Sequence, residues 1–140
     1  MWNRNDLISS GELQGEITQE TVRFAERFGK FLAEQPENPK DPRSEKPLTT
    51  SQLRRFFGEV KRQQLLGYDA TNFVMLKPKL AYAVGRARQG GRGYQRIEDF
   101  YYVLADAINK VEQAPDKKKA FKNFITAFEA IVAYHKASEK

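Results

Sequence analysis

Apolar residues recur at helical spacing along nearly the whole chain, and this period restricts the fold more than any other feature. Steps of three and four residues place apolar side chains on one face of a helix. Such stripes run over 16–34, Leu53–Val60, Phe73–Ala87, Ile97–Val111 and Phe121–Val132. No two-residue alternation is long enough to indicate a strand. The sequence therefore predicts an all-α, single-domain bundle of about five helices.

A proline-rich segment, QPENPKDPRSEKP, follows the first helix. Proline removes a backbone donor and pushes the preceding residue out of the helical region, so this segment is expected to be exposed and extended. The chain is accordingly divided into an N-terminal helical extension (1–35), a linker (36–47) and a helical core (48–140) within one domain. The linker would allow the first helix to swing or to exchange between subunits.

Two later helices have clear start signals. Thr49 is predicted as an N-cap with Gln52 as its capping-box partner, and Leu48 and Leu53 stand at the hydrophobic-staple positions. Asp116 is predicted as the N-cap of the last helix.

The middle of the chain is interrupted by turn and breaker residues. A turn is expected over Gly67–Thr71, followed by a helix over Asn72–Arg88 that a loop at Gly90–Gly93 ends. Pro78 lies inside this helix, where it predicts either a kink or a restart.

Composition limits the classes of function. The chain has 140 residues, of which 40% are hydrophobic and 30% charged, as is typical of a folded soluble domain. A net charge of +6 indicates an anionic partner. Because there is no cysteine, disulfides and thiol chemistry are excluded. With no apolar run of about 18 residues and no signal-peptide pattern, no membrane association and a cytoplasmic location are expected.

The inventory of catalytic side chains is small. His135 is the only histidine, and it is either a general base or base-stacking ring, or more simply a helix C-terminal histidine that suits the helix dipole. Neither zinc-ligand nor carboxylate metal spacing is present. The sequence therefore predicts no enzyme activity, no metal site and no cofactor. The alternative in this class is a metal-independent ribonuclease that uses His135 with Lys136.

The stretch KPKLAYAVGRARQGGRGYQR, residues 77–96, holds six cations and no acid. A solvated helix face usually interleaves lysine with glutamate, and like charges without partners repel each other. A polyanion offsets that repulsion and releases its own counterions. Lys79 and Arg86 are seven residues apart and share one side of the helix, whereas Lys77 and Arg88 flank its apolar stripe. The run predicts a phosphate-binding surface that would accept RNA, DNA or another acidic surface.

Glycines and tyrosines in this run leave two interpretations open. The glycines do not form a Walker loop, because no Gly-Lys-Ser/Thr ends the segment and no strand precedes it. Gly85 inside the helix indicates either close helix packing or close approach of the backbone to a phosphate. Tyr82 and Tyr94 either stack on bases or pack in the fold.

Three segments, LTTSQLR, LKPKLAYAVGR and FKNFITAFEAIVAYHK, occur in an order that resembles the small helical subunit of the type III-A CRISPR effector (Csm) complex. The resemblance covers Leu48 to Lys136 and places no counterpart for the first 35 residues or the linker. It implies a non-catalytic helical protein of antiviral defence. The implied partners are guide RNA, target RNA, the backbone and large subunits, and further copies of itself in a filament.

The resemblance also implies contacts with the RNA backbone that are indifferent to sequence. The basic residues carried over from the resemblance are Arg54 and Arg55 after LTTSQL, Lys77, Lys79, Arg86, and Lys136 beside His135, to which charge alone adds Arg88 and Arg92. In isolation, such a subunit would leave apolar surface exposed, so a dimer is an expected form. The alternative function is a stand-alone DNA-binding protein of the nucleoid type.

Overall fold

The computed structural model describes residues 16–35, 40, 46–90 and 94–139. Within these ranges the secondary structure is helical and includes no strand. The helices are α1 (Gln19–Ala33), α2 (Thr50–Leu66), α3 (Ala70–Val74), α4 (Leu76–Gln89), α5 (Gln95–Gln113) and α6 (Lys117–Ser138). Five long helices and one short helix confirm the all-α bundle.

The predicted helix starts are present. The backbone N–H of Gln52 donates to Thr49 Oγ1 at 3.1 Å, and the N–H of Thr49 donates to Gln52 Oε1 at 2.9 Å. Asp116 accepts a bond from the N–H of Lys119 at 3.1 Å. At its other end, α2 stops at Gly67, whose φ of 92° is readily adopted only by glycine.

The helix expected over Asn72–Arg88 is divided at Met75 into α3 and α4. Pro78 is the third residue of α4, in the first turn, where a backbone N–H has no partner inside the helix. The restart prediction is therefore confirmed, and proline costs α4 no internal hydrogen bond. The preceding turn is shorter than expected, because α3 already begins at Ala70.

Aromatic side chains fill the centre of the bundle. Phe28, Phe73, Phe100, Phe124 and Phe128 are fully buried. The Phe73 ring meets the Phe124 ring edge-on with centroids 5.2 Å apart, an arrangement that aromatic rings favour. Helix α6 runs through this core and packs against α1, α2 and α5.

Helix α1 lies very close to α6 at Gly29. A Cβ atom built on Gly29 would lie 2.8 Å from both the backbone nitrogen of His135 and the carbonyl oxygen of Ile131. The backbones of the two helices are therefore in direct contact at a position that admits only glycine.

Hydrogen bonds connect Leu48, in the segment before α2, to both α1 and α6. The N–H of Leu48 donates to the carbonyl of Leu32 at 2.8 Å. His135 Nε2 lies 2.6 Å from the Leu48 carbonyl oxygen, and because a carbonyl only accepts, Nε2 carries the hydrogen. One residue thus links the end of α1, the start of α2 and the C-terminal part of α6.

Candidate functional site

Three of the predicted cations meet in a groove between α2 and α4. Arg55 comes from α2, and Lys79 and Arg86 come from α4. The groove has a volume of about 570 Å³. The other side chains that line it include Phe56, Glu59, Tyr82, Ala83, Ala87 and Ile97.

Helical spacing explains why these cations share the groove. Lys79 and Arg86 are separated by two turns of α4, so both side chains point to the side that faces α2. Arg55 and Glu59 are four residues apart and occupy the facing side of α2. The prediction that Lys79 and Arg86 lie on one side is confirmed.

Glu59 is the acidic member of the groove. Its Oε1 accepts hydrogen bonds from Lys79 Nζ at 3.0 Å and from Arg62 NH2 at 2.8 Å. The Arg62 bond, helped by Lys79 and opposed by partial burial, lowers the pKa of Glu59 to about 2. Glu59 is therefore ionised at neutral pH and balances part of the charge of Lys79.

Arg55 and Arg86 differ from Lys79 because they have no acidic partner among the described residues. Both side chains are exposed, and neither forms an ion pair with any residue in the described ranges. The net charge of the groove is therefore positive, and its two guanidinium groups are available to an external anion.

The expectation that the cations of the basic run lack neutralising partners was wrong for Lys77, Lys79 and Arg88. Besides the Lys79–Glu59 pair, Lys77 Nζ lies 2.6 Å from Asn109 Oδ1 and 3.5 Å from Glu112 Oε1. Arg88 forms an ion pair with Glu98. The acids come from α2 and α5, so residues outside the run supply the negative charges that the run itself lacks.

Two further cations of the run, Arg88 and Arg96, do not line the groove. The side chain of Arg96 is buried, and its guanidinium carbon lies 4.0 Å from the centroid of the Phe31 ring, a cation–π contact inside the fold. The guanidinium carbon of Arg88 lies 5.5 Å from the centroid of the Tyr94 ring, and Tyr94 is half-buried. Arg92 lies outside the described residues.

Arg54 and Lys136 are exposed on a different surface. Lys61, seven residues after Arg54 and so on the same side of α2, reaches Glu129 of α6 at 3.0 Å. Arg54 therefore lies toward α6 and not toward the groove, and Lys136 belongs to α6 itself. The seven predicted cations that lie within the described residues do not form one continuous site.

Two open interpretations concern Tyr82 and Gly85. Tyr82 lines the groove with 69% of its surface exposed, which fits an aromatic ring available for stacking. A Cβ built on Gly85 meets nothing within 4 Å, so close helix packing inside the chain does not explain this glycine. Approach of the backbone to a phosphate stays a prediction.

His135 has a structural role. The side chain is 1% exposed, and its Nε2 is bonded to Leu48, so the ring is held inside the fold. Among the described residues, no group of three or more His, Cys, Asp or Glu side chains is arranged to hold a metal ion. None of the described helices combines the length and apolar character that a membrane crossing requires.

Sequence reasoning missed several groove residues. Phe56 and Ile97 were read only as core positions, although both line the groove. The pairing of Glu59 with Arg62 follows three-residue spacing and was visible in the sequence, but its contact with Lys79 was not. A further basic cluster, Lys117–Lys119, is exposed on the first turn of α6 and was also overlooked.

Comparison with known proteins adds independent information. The family model for Csm2 Type III-A matches residues 16–140. The match begins well before Leu48 and includes α1, for which the sequence resemblance placed no counterpart. Searches of curated proteins and of solved structures returned no match. The helical fold and the extent of the family match show that the chain belongs to the Csm2 Type III-A family, the small structural subunits of the type III-A CRISPR effector complex.

Proposed function

We propose that this subunit binds the sugar–phosphate backbone of RNA in the groove between α2 and α4, without preference for sequence. In an effector complex the RNA would be the guide, the target or both. Base pairing then supplies specificity, while the protein reads backbone charge and shape.

One observation carries the proposal: cations from two helices converge on one groove, and two of them have no acidic partner among the described residues. Guanidinium groups suit phosphate oxygens because their planar donors bind two oxygens at once. Phosphate would compete with Glu59 for Lys79, whereas Arg55 and Arg86 need no rearrangement of an ion pair.

Salt dependence tests this proposal directly. Each phosphate neutralised on a single strand lowers log affinity by roughly 0.7 per unit of log salt. Two to three contacts therefore predict a slope between about −1.4 and −2.1. Fluorescence anisotropy with unrelated single-stranded RNAs at several salt concentrations measures it. Sequence-independent affinity with this slope is expected, and a flat response would contradict backbone binding.

We further propose that the subunit is non-catalytic and works in the cytoplasm as part of the complex. The burial of His135 supports the first part, because the one imidazole of the chain is bonded to a backbone carbonyl inside the fold. Family membership favours an effector subunit over a stand-alone DNA-binding protein.

Contacts with further copies, or with the backbone and large subunits, are part of the same proposal. Leu65 is 88% exposed and Leu66 is also largely exposed, both at the C-terminal end of α2, and Met75 is exposed between α3 and α4. Adjacent exposed leucines at a helix end are typical of surfaces that a neighbouring subunit covers.

Light scattering tests self-association. We expect the wild-type protein to show a mass above that of one chain at high concentration. The double substitution Leu65→Ser, Leu66→Ser should shift it toward the monomer, because it removes apolar surface that association would bury. Both side chains are exposed, so the fold is expected to persist, which circular dichroism verifies. Equal masses for wild type and variant would exclude this surface as the self-association site.

A further inference from the structure

The groove between α2 and α4 is lined by apolar side chains as well as by cations. Binding of an RNA backbone requires the cations but not this apolar surface, which is called the apolar floor below. Phe56, Ala83, Ala87 and Ile97 line it together with the cations. The Phe56 ring packs against Phe100 with centroids 5.9 Å apart, so it is held by the core while it faces the groove.

Tyr82 completes this arrangement. It is a large aromatic side chain on the groove wall with 69% of its surface in water. Exposed aromatic rings beside cations are the usual means by which proteins hold unpaired bases, because every base has a π-face that stacks. Lys79 and Arg86 are two turns apart, about 10 Å along α4. Cations therefore stand near both ends of the apolar floor.

We infer that the groove accepts an unpaired nucleotide of single-stranded RNA, with its base against Phe56 and Tyr82 and its flanking phosphates on the groove cations Arg55, Lys79 and Arg86. This inference rests on the proposed function, and it adds the chemical class of the ligand. The volume of about 570 Å³ lies within the range of small-ligand sites. An A-form duplex keeps its bases paired and stacked inside the helix. Its phosphates can contact the groove cations, but none of its bases can reach Phe56 or Tyr82.

Three RNA ligands of about ten nucleotides separate base binding from charge binding. They are single-stranded oligouridine, an abasic ribose–phosphate strand of equal length, and a duplex. We expect the wild-type protein to bind oligouridine most tightly. Tyr82→Leu should weaken oligouridine binding by at least about 5-fold, since stacking on one aromatic ring contributes about 1–3 kcal/mol. The same variant should leave the abasic strand and the duplex unchanged.

Tyr82→Phe is the matched control, because it keeps the ring and should retain wild-type affinity for oligouridine. The inference is overturned if Tyr82→Leu weakens all three ligands equally or none of them. It is also overturned if Tyr82→Leu changes only the mass of the protein assembly in solution, as light scattering measures it, because Tyr82 would then belong to a protein–protein contact. In each of these cases, salt-dependent binding of the abasic strand would leave the proposed backbone binding intact. Failure of every strand to bind would overturn both.

Discussion

Gly29→Ala is expected to destabilise the protein by about 3 kcal/mol, the largest effect on stability that we predict for one methyl group. The added Cβ would lie 2.8 Å from the His135 nitrogen and the Ile131 carbonyl oxygen, and 2.9 Å from Tyr134 Cβ. Two of these neighbours are backbone atoms of α6, so no side-chain rotation relieves the clash. The helices α1 and α6 must move apart, which loosens the apolar contacts between them.

Thermal and urea unfolding measure this change. For a chain of 140 residues, about 3 kcal/mol corresponds to a melting temperature lower by roughly 10 °C. Gly58→Ala is the matched control, because Gly58 is exposed inside α2 and a Cβ there meets nothing within 4 Å. It should stabilise by about 0.5–1 kcal/mol through higher helix propensity. Unchanged stability of Gly29→Ala would mean that α1 does not pack on α6 in this way.

The second large effect concerns RNA affinity. Replacing Arg55, Lys79 and Arg86 together by glutamine should weaken single-stranded RNA binding roughly 50-fold at about 0.15 M salt. Each lost phosphate contact removes about 0.6 units of log affinity at that salt concentration. The salt slope should also fall nearly to zero. All three side chains are exposed, so circular dichroism and melting should stay close to wild type.

A second triple variant separates the groove from overall charge. Replacing Lys117, Lys118 and Lys119 by glutamine also removes three positive charges, but from the first turn of α6, outside the groove lining. Lysines at a helix N-terminus oppose the helix dipole, so their loss does not weaken the helix. This variant should keep most of the affinity. An equal loss in both variants would show that binding follows net charge and not the groove.

Local features of the chain could be predicted from sequence. The caps at Thr49 and Asp116 and the restart near Pro78 depend on residues at most a few positions apart, so their geometry follows from the chain itself. The apolar stripes gave the all-α class for the same reason. The shared side of Lys79 and Arg86 is a further consequence of helical spacing.

Contacts between helices were beyond such reasoning. Neither the need for glycine at Gly29 nor the burial of His135 is visible in the residues around them, because both depend on where α1 and α6 meet. Arg96 belonged to the basic run by sequence but packs on Phe31. Its neighbour in space is separated from it by more than sixty positions along the chain.

The sequence by itself determined the helices and the uneven charge of the chain, because both follow from residue type and short spacing. Only the tertiary structure decided which cations keep their charge available to a ligand. Ion pairing depends on distance in space, and Glu59 and Glu112 reach Lys79 and Lys77 only after the helices pack. The proposed site therefore combines Arg86, which no described acid neutralises, with Lys79, which shares its charge with Glu59, and with Arg55, which packing brings to the groove from another helix.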